Sequence, residues 1–127
     1  MESTAVPPPK KRLTILLVED HDDSRRSMSK LLGRKHIVRD VKNVESALAA
    51  AGAEKFDLVI SDLGLPDGSG IDLMRQLQQQ YHLKGICLSG FGMEDELAQL
   101  AEAGFCHHLV KPTDMRKLES IIEQMIE

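Results

Sequence analysis

Short apolar runs alternate with stretches of helical spacing along this chain. LTILLV (13 to 18) is a continuous apolar run closed by charge, the pattern of a strand covered on both faces. DLVIS (57 to 61), GICLS (85 to 89) and HLV (108 to 110) repeat that form, whereas HIVRDV (36 to 41) is mixed and suits an edge strand. Apolar residues at helical spacing fill the intervals: Met28, Leu31 and Leu32; Val44, Leu48 and Ala51; Leu73, Met74 and Leu77; Leu97, Leu100 and Ala101; Leu118, Ile121, Ile122 and Met125.

Asn43 and Thr113 stand where N-caps belong, and Gly33, Gly52 and Gly104 where a helix would end on a left-handed residue. Strand and helix alternate five times. Buried strands joined by helices predict an α/β fold with a parallel five-stranded sheet between two helical layers, because parallel neighbours need right-handed crossovers. In open sheets of this kind ligands bind beyond the carboxyl ends of the strands.

The residues at those ends are Glu19 and Asp20 after the first strand, Asp62 after the third, Ser89 at the fourth and Lys111 after the fifth. Three carboxylates at one edge repel unless a cation joins them. Oxygen donors with neither His nor Cys among them suit Mg²⁺. Asp20 and Asp62 are read as direct ligands, the backbone carbonyl of Gly64 as a third, and Glu19 as acting through water. A carboxylate beside a divalent ion is also a nucleophile toward an incoming phosphoryl group, with Lys111 and Ser89 placed to bind its oxygens. Asp22 and Asp23 are read as residues of a helix first turn, favoured there by the helix dipole. Gly68 and Gly70 are read as turn residues; no Gly-Lys-Ser/Thr follows to make a nucleotide-binding loop. The run CHH (106 to 108) is not taken as a metal site, since adjacent strand residues point to opposite faces.

Composition narrows the picture. A chain of 127 residues holds one domain, and with 3% aromatic residues its core must be aliphatic. The balance of 16 basic against 20 acidic side chains argues against direct nucleic-acid binding by the domain as a whole. Cys87 and Cys106 lie in apolar stretches and are expected to be buried thiols in a reducing cytoplasm. No apolar segment is long enough to span a bilayer. Residues 1 to 12, MESTAVPPPKKR, read as a proline-rich basic tether ahead of a domain over 13 to 127.

LLVEDHDDSR, ISDLGLPDGSG, CLSGFG and LVKP, in that order and spacing, resemble the receiver domain of two-component response regulators over Leu13 to Glu127. The resemblance implies a flavodoxin-like (βα)5 fold of strand order 2-1-3-4-5, Mg²⁺ as cofactor, phosphorylation on Asp62 by a histidine kinase or phosphotransfer protein, and a cis bond between Lys111 and Pro112. It also implies a switch in which Ser89 moves toward the phosphoryl group while the residue at 108 turns inward; here that residue is His108 rather than Tyr or Phe. The fourth helix, fifth strand and fifth helix would form the output surface and any dimer. Gly64 and Phe91 occupy two positions that tune phosphoryl lifetime, and neither offers a polar group to hold a hydrolytic water. The stretch LSGFG…AGFCHHLVKP resembles receivers of hybrid sensor histidine kinases, with a stand-alone regulator as the alternative. A haloacid-dehalogenase-type phosphatase would need a second acid two residues after Asp62, where Gly64 stands. A flavin binder would need aromatic and hydroxyl-rich loops that are lacking here.

Overall fold

A computed structural model describes residues 12–90 and 97–126. Residues 1–11 of the tether read over 1–12, together with Phe91 and Glu127, lie outside the described residues. Among the described residues, seven strands and five helices follow in the order β1 (Thr14–Val18), α1 (Asp22–Leu32), β2 (Ile37–Val41), α2 (Val44–Ala53), β3 (Leu58–Asp62), β4 (Gly64–Leu65), β5 (Gly68–Ser69), α3 (Gly70–Tyr81), β6 (Lys84–Ser89), α4 (Leu97–Ala103), β7 (Phe105–Val110) and α5 (Met115–Ile126). The five long strands form one parallel sheet of order β2-β1-β3-β6-β7, which is the expected 2-1-3-4-5 order once the small antiparallel β4–β5 hairpin is set aside.

Side chains of successive strand residues alternate between two cores. Leu16, Val18, Val59 and Cys87 point to the side packed with Ala47, Leu73, Met74, Leu77 and Leu100 from α2, α3 and α4. Ile15, Leu17, Ile60, Ile86 and Leu88 point to the other, against Met28 and Leu32 of α1 and Leu118 and Ile122 of α5. Burial on both faces is why β1 and β3 read as unbroken apolar runs. β2, at the sheet's edge, keeps Ile37 exposed and Val38 half-buried.

Several local expectations are corrected. The last strand begins at Phe105, not His108, and its register with β6 shifts between Gly85 and Ile86, so that Cys106 falls at a bulge of the outer strand. Cys106 is consequently exposed; Cys87 is buried. Gly33 has right-handed backbone angles and Gly52 lies inside α2; of the three candidate helix stops only Gly104, at φ +118°, is left-handed. α3 instead ends on His82 at φ 57°. Asn43 does cap α2, its side chain accepting from the Ser46 N–H at 2.8 Å. Asp114, not Thr113, caps α5: its Oδ1 accepts from the Arg116 N–H at 3.0 Å, and its backbone carbonyl takes the Leu118 N–H.

Candidate functional site

β1 and β3 are adjacent, so their carboxyl ends bring Glu19 and Asp62 side by side, and the segment after β7 carries Lys111 across to them. Lys111 Nζ donates to Glu19 Oε1 and to Asp62 Oδ2, each at 2.7 Å. Glu19 is 1% exposed, Asp62 9% and Lys111 27%. The second Glu19 oxygen accepts from the His21 backbone N–H at 3.1 Å and lies 3.4 Å from the His21 ring. The Arg25 guanidinium donates to the Glu19 carbonyl and pairs with Asp22, which holds α1 against the end of β1. Asp22 and Asp23 occupy the first turn of α1.

One ammonium shared by two buried carboxylates leaves them unequal. Burial pushes the Asp62 carboxyl up to about 7, with Glu19 adding to the rise and Lys111 opposing it. Burial acts on Glu19 in the same sense, yet its hydrogen bonds, first of all from Lys111, hold it down at about 2. Burial alone would lower Lys111, but its two carboxylate partners raise it above the ordinary value. The pocket is short of positive charge. Glu19, Asp20, His21 and Asp62 each offer a donor atom, and all four lie within 4.8 Å of one another. Ligands on opposite sides of a metal at about 2.1–2.4 Å are roughly 4.2–4.8 Å apart, so the donor set fits a divalent cation.

Of the residues singled out in the sequence, Glu19, Asp20, Asp62 and Lys111 share this centre. Ser89 stands at the end of the neighbouring strand, with its hydroxyl turned to the Leu109 carbonyl at 3.5 Å and its backbone carbonyl accepting from the Lys111 N–H at 2.8 Å. Gly64 opens the β4–β5 hairpin beyond Asp62, exposed to solvent. The Lys111–Pro112 peptide bond is cis. His108 is half-buried on β7 opposite Cys87 and lines a depression of about 200 Å³ with Leu100, Ala101 and Phe105.

Two contributors went unrecognised in the sequence. Asp67 reaches from the hairpin to the start of α2, where its two oxygens accept the Val44 and Glu45 N–H groups at 2.7 and 3.0 Å. Those bonds depress its pKa and tie the loop after Asp62 to the scaffold. Nothing in the local sequence signals a cap placed 22 or 23 residues away. His21, the other, was legible only as a neighbour of the acidic pair.

Comparison with known proteins agrees with this arrangement. The family model described as the response regulator receiver domain matches residues 15–123. The chain is 34% identical to the response regulator protein PilR of Pseudomonas aeruginosa over 113 residues, covering 87% of this chain and 25% of PilR. It is 35% identical over 107 residues to KdpE of Escherichia coli, the KDP operon transcriptional regulatory protein, covering 84% of this chain and 48% of KdpE. It therefore spans half or less of the length of these two relatives. Among solved structures, a CheY-like response regulator receiver domain from Methylobacillus flagellatus superposes with a TM-score of 0.81 at 32% identity, covering 92% of this chain and all of the other. A two-component response regulator from Clostridium difficile gives 0.86 at 18% identity, covering 91% and 96%, which speaks for the fold alone. A sheet that delivers two acids and a lysine to one point, and a sequence match running through nearly every element, lead to one family: this chain belongs to the response regulator receiver domains of two-component systems.

Proposed function

We propose that the chain accepts a phosphoryl group on Asp62 from the phosphohistidine of a histidine kinase or phosphotransfer protein, in a Mg²⁺-dependent reaction. The observation that carries this reading is the Lys111 ammonium 2.7 Å from Asp62 Oδ2, beside the buried Glu19. The other Asp62 oxygen is then the nucleophile: its bond to phosphorus forms as the phosphorus–nitrogen bond of the donor breaks, and the donor imidazole leaves. Lys111 neutralises charge on the transferred group. Ser89, one strand away, is the hydroxyl that would turn from the Leu109 carbonyl toward a phosphoryl oxygen, and His108 is the side chain that would follow it inward. Glu19, Asp20 and Asp62, with the Gly64 carbonyl, would hold Mg²⁺, which supplies charge neutralisation at the transferred group.

An open depression of about 620 Å³ runs from Glu19 and Lys111 along Ser24, Met28 and Met115, on the α1 side of the site. Among the described residues no helix is long and apolar enough to cross a membrane. The parent protein is proposed to be a hybrid sensor histidine kinase in the cytoplasm, on the wording of the segment from Leu88 to Pro112; the complete reading frame decides between that and a stand-alone regulator. Incubation with acetyl phosphate and Mg²⁺, followed by intact mass measurement, tests the reaction. One added phosphoryl group on the wild type and none on Asp62→Asn is the expected result; an unmodified wild type, or a modified variant, would sink the assignment.

A further inference from the structure

His21 has no part in the reaction outlined above, yet its ring lies at the same centre. It is the N-cap residue of α1 by position, with extended backbone angles, and its side chain caps nothing. Instead Nδ1 stands 3.4 Å from Glu19 Oε2 and 3.5 Å from Asp20 Oδ1, within the 4.8 Å spread that also takes in an Asp62 oxygen. Neighbouring ligands of a metal at about 2.1–2.4 Å are separated by roughly 3.0–3.4 Å, so the imidazole nitrogen already keeps the spacing of one ligand beside another. The ring is 73% exposed, on the solvent side of the buried Glu19.

We infer that His21 is a nitrogen ligand of the divalent-cation centre and biases it toward borderline ions such as Co²⁺ or Ni²⁺ over the Mg²⁺ that carboxylates alone would hold. The inference rests on reading this centre as a cation site. Mg²⁺ is a hard ion that prefers oxygen and gains little from imidazole, whereas affinity for a nitrogen donor climbs from Mn²⁺ through Co²⁺ and beyond. An added nitrogen therefore alters the ratio of affinities more than the affinity for Mg²⁺. A carboxamide at position 21 offers a weaker, oxygen donor of similar reach.

The test titrates the full chain with Co²⁺ and with Mg²⁺ by calorimetry, following the ligand-field absorption of Co²⁺ in parallel, for wild type, His21→Gln and His21→Ala. The expected result is a loss of roughly tenfold or more in Co²⁺ affinity in both variants, a changed Co²⁺ spectrum, and Mg²⁺ affinity held within about twofold. Excess Mg²⁺ should displace Co²⁺ from the wild type, placing both ions at one site. Mg²⁺ binding with a Co²⁺-to-Mg²⁺ ratio unaltered by either substitution would overturn the role of His21 alone, as would Co²⁺ that binds without lowering Mg²⁺ occupancy, which marks a second site. A wild type that binds neither ion would remove the cation centre itself, and His21's part with it.

Discussion

A methyl group on Gly70 would come within 2.0 Å of the Asp62 carbonyl oxygen and 2.9 Å of the Leu63 α-carbon. The Gly70 N–H also donates to the Leu63 carbonyl at 2.7 Å, so the first residue of α3 clasps the chain just beyond the proposed phospho-acceptor. Backbone atoms cannot yield as a flexible side chain can. Gly70→Ala should cost roughly 2 kcal/mol or more of stability by overpacking and displace Asp62 from Lys111. Urea unfolding, together with the rate of labelling by acetyl phosphate, measures both; an alanine variant matching wild type in each would show that the contact is unimportant.

Asp62 supplies a pH dependence of defined sign. Between its ordinary value of 3.8 and about 7 the folded chain keeps a proton that the unfolded chain has released, so stability falls as pH rises through that window. Asp62→Asn has no group titrating there. In metal-free buffer the variant should exceed wild type by on the order of 1–3 kcal/mol at about pH 8 and match it at about pH 4. The readout is the difference in urea midpoints at the two pH values. Coincident midpoints at the higher pH would mean that the ionised carboxylate carries no penalty.

Lys111 offsets the same crowding. Lys111→Met leaves Glu19, fully buried, and Asp62 without the ammonium now 2.7 Å from each. Breaking a buried pair from one side costs roughly 2–4 kcal/mol where the site is partly open to water. Chemical denaturation in chelator should show that loss, with added Mg²⁺ restoring part of it. A methionine variant as stable as wild type in chelator would argue that the ammonium is dispensable.

How much of this could be read in advance depended on distance along the chain. Doubly buried strands announce themselves because both faces must be apolar, so β1, β3 and β6 were legible almost to the residue. Parallel order then put Glu19, Asp62 and Lys111 at one rim without any knowledge of contacts. What escaped was set by three-dimensional neighbours: Asp67 capping a helix from another loop, the bulge that turns Cys106 outward, and a left-handed helix end on His82, for which the sequence had offered no candidate stop. Asp114 and Thr113 are both N-cap types standing side by side, and local sequence could not choose between them.

Gly64 bears on how long a phosphoryl group would survive. It has no side chain, and no heavy atom of the described residues lies within 4 Å of where a β-carbon would stand, so these residues leave room for a β-carbon there. Water near an acyl phosphate on Asp62 would therefore lack an orienting partner from this residue. Phosphate release from the wild type is expected to be slow, and Gly64→Asn should hasten it by about tenfold or more if a carboxamide there positions water. Release completed within seconds by the wild type would contradict the first statement; an unaltered rate in the variant would contradict the second.

His36 governs stability at the opposite end of the sheet, through an acceptor that works only when unprotonated. Its Nδ1 accepts the Leu13 N–H at 3.1 Å, pinning the entry to β1, and the residue is buried. Burial lowers its pKa below the ordinary value, Lys35 and Arg12 push the same way, and Glu119, itself paired with Lys35 at 3.4 Å, opposes them. The depressed value fixes the sign: the stabilisation is fully present above pH 6.5 and is lost as pH falls through the lower folded-state value. Asparagine places an oxygen near the position of Nδ1 and does not titrate. His36→Asn should keep most of the hydrogen bond, worth about 1 kcal/mol, while flattening the acid-side decline expected of the wild type. Thermal melts of both proteins at several pH values below 6.5 provide the comparison; parallel declines would locate the acid sensitivity elsewhere in the chain.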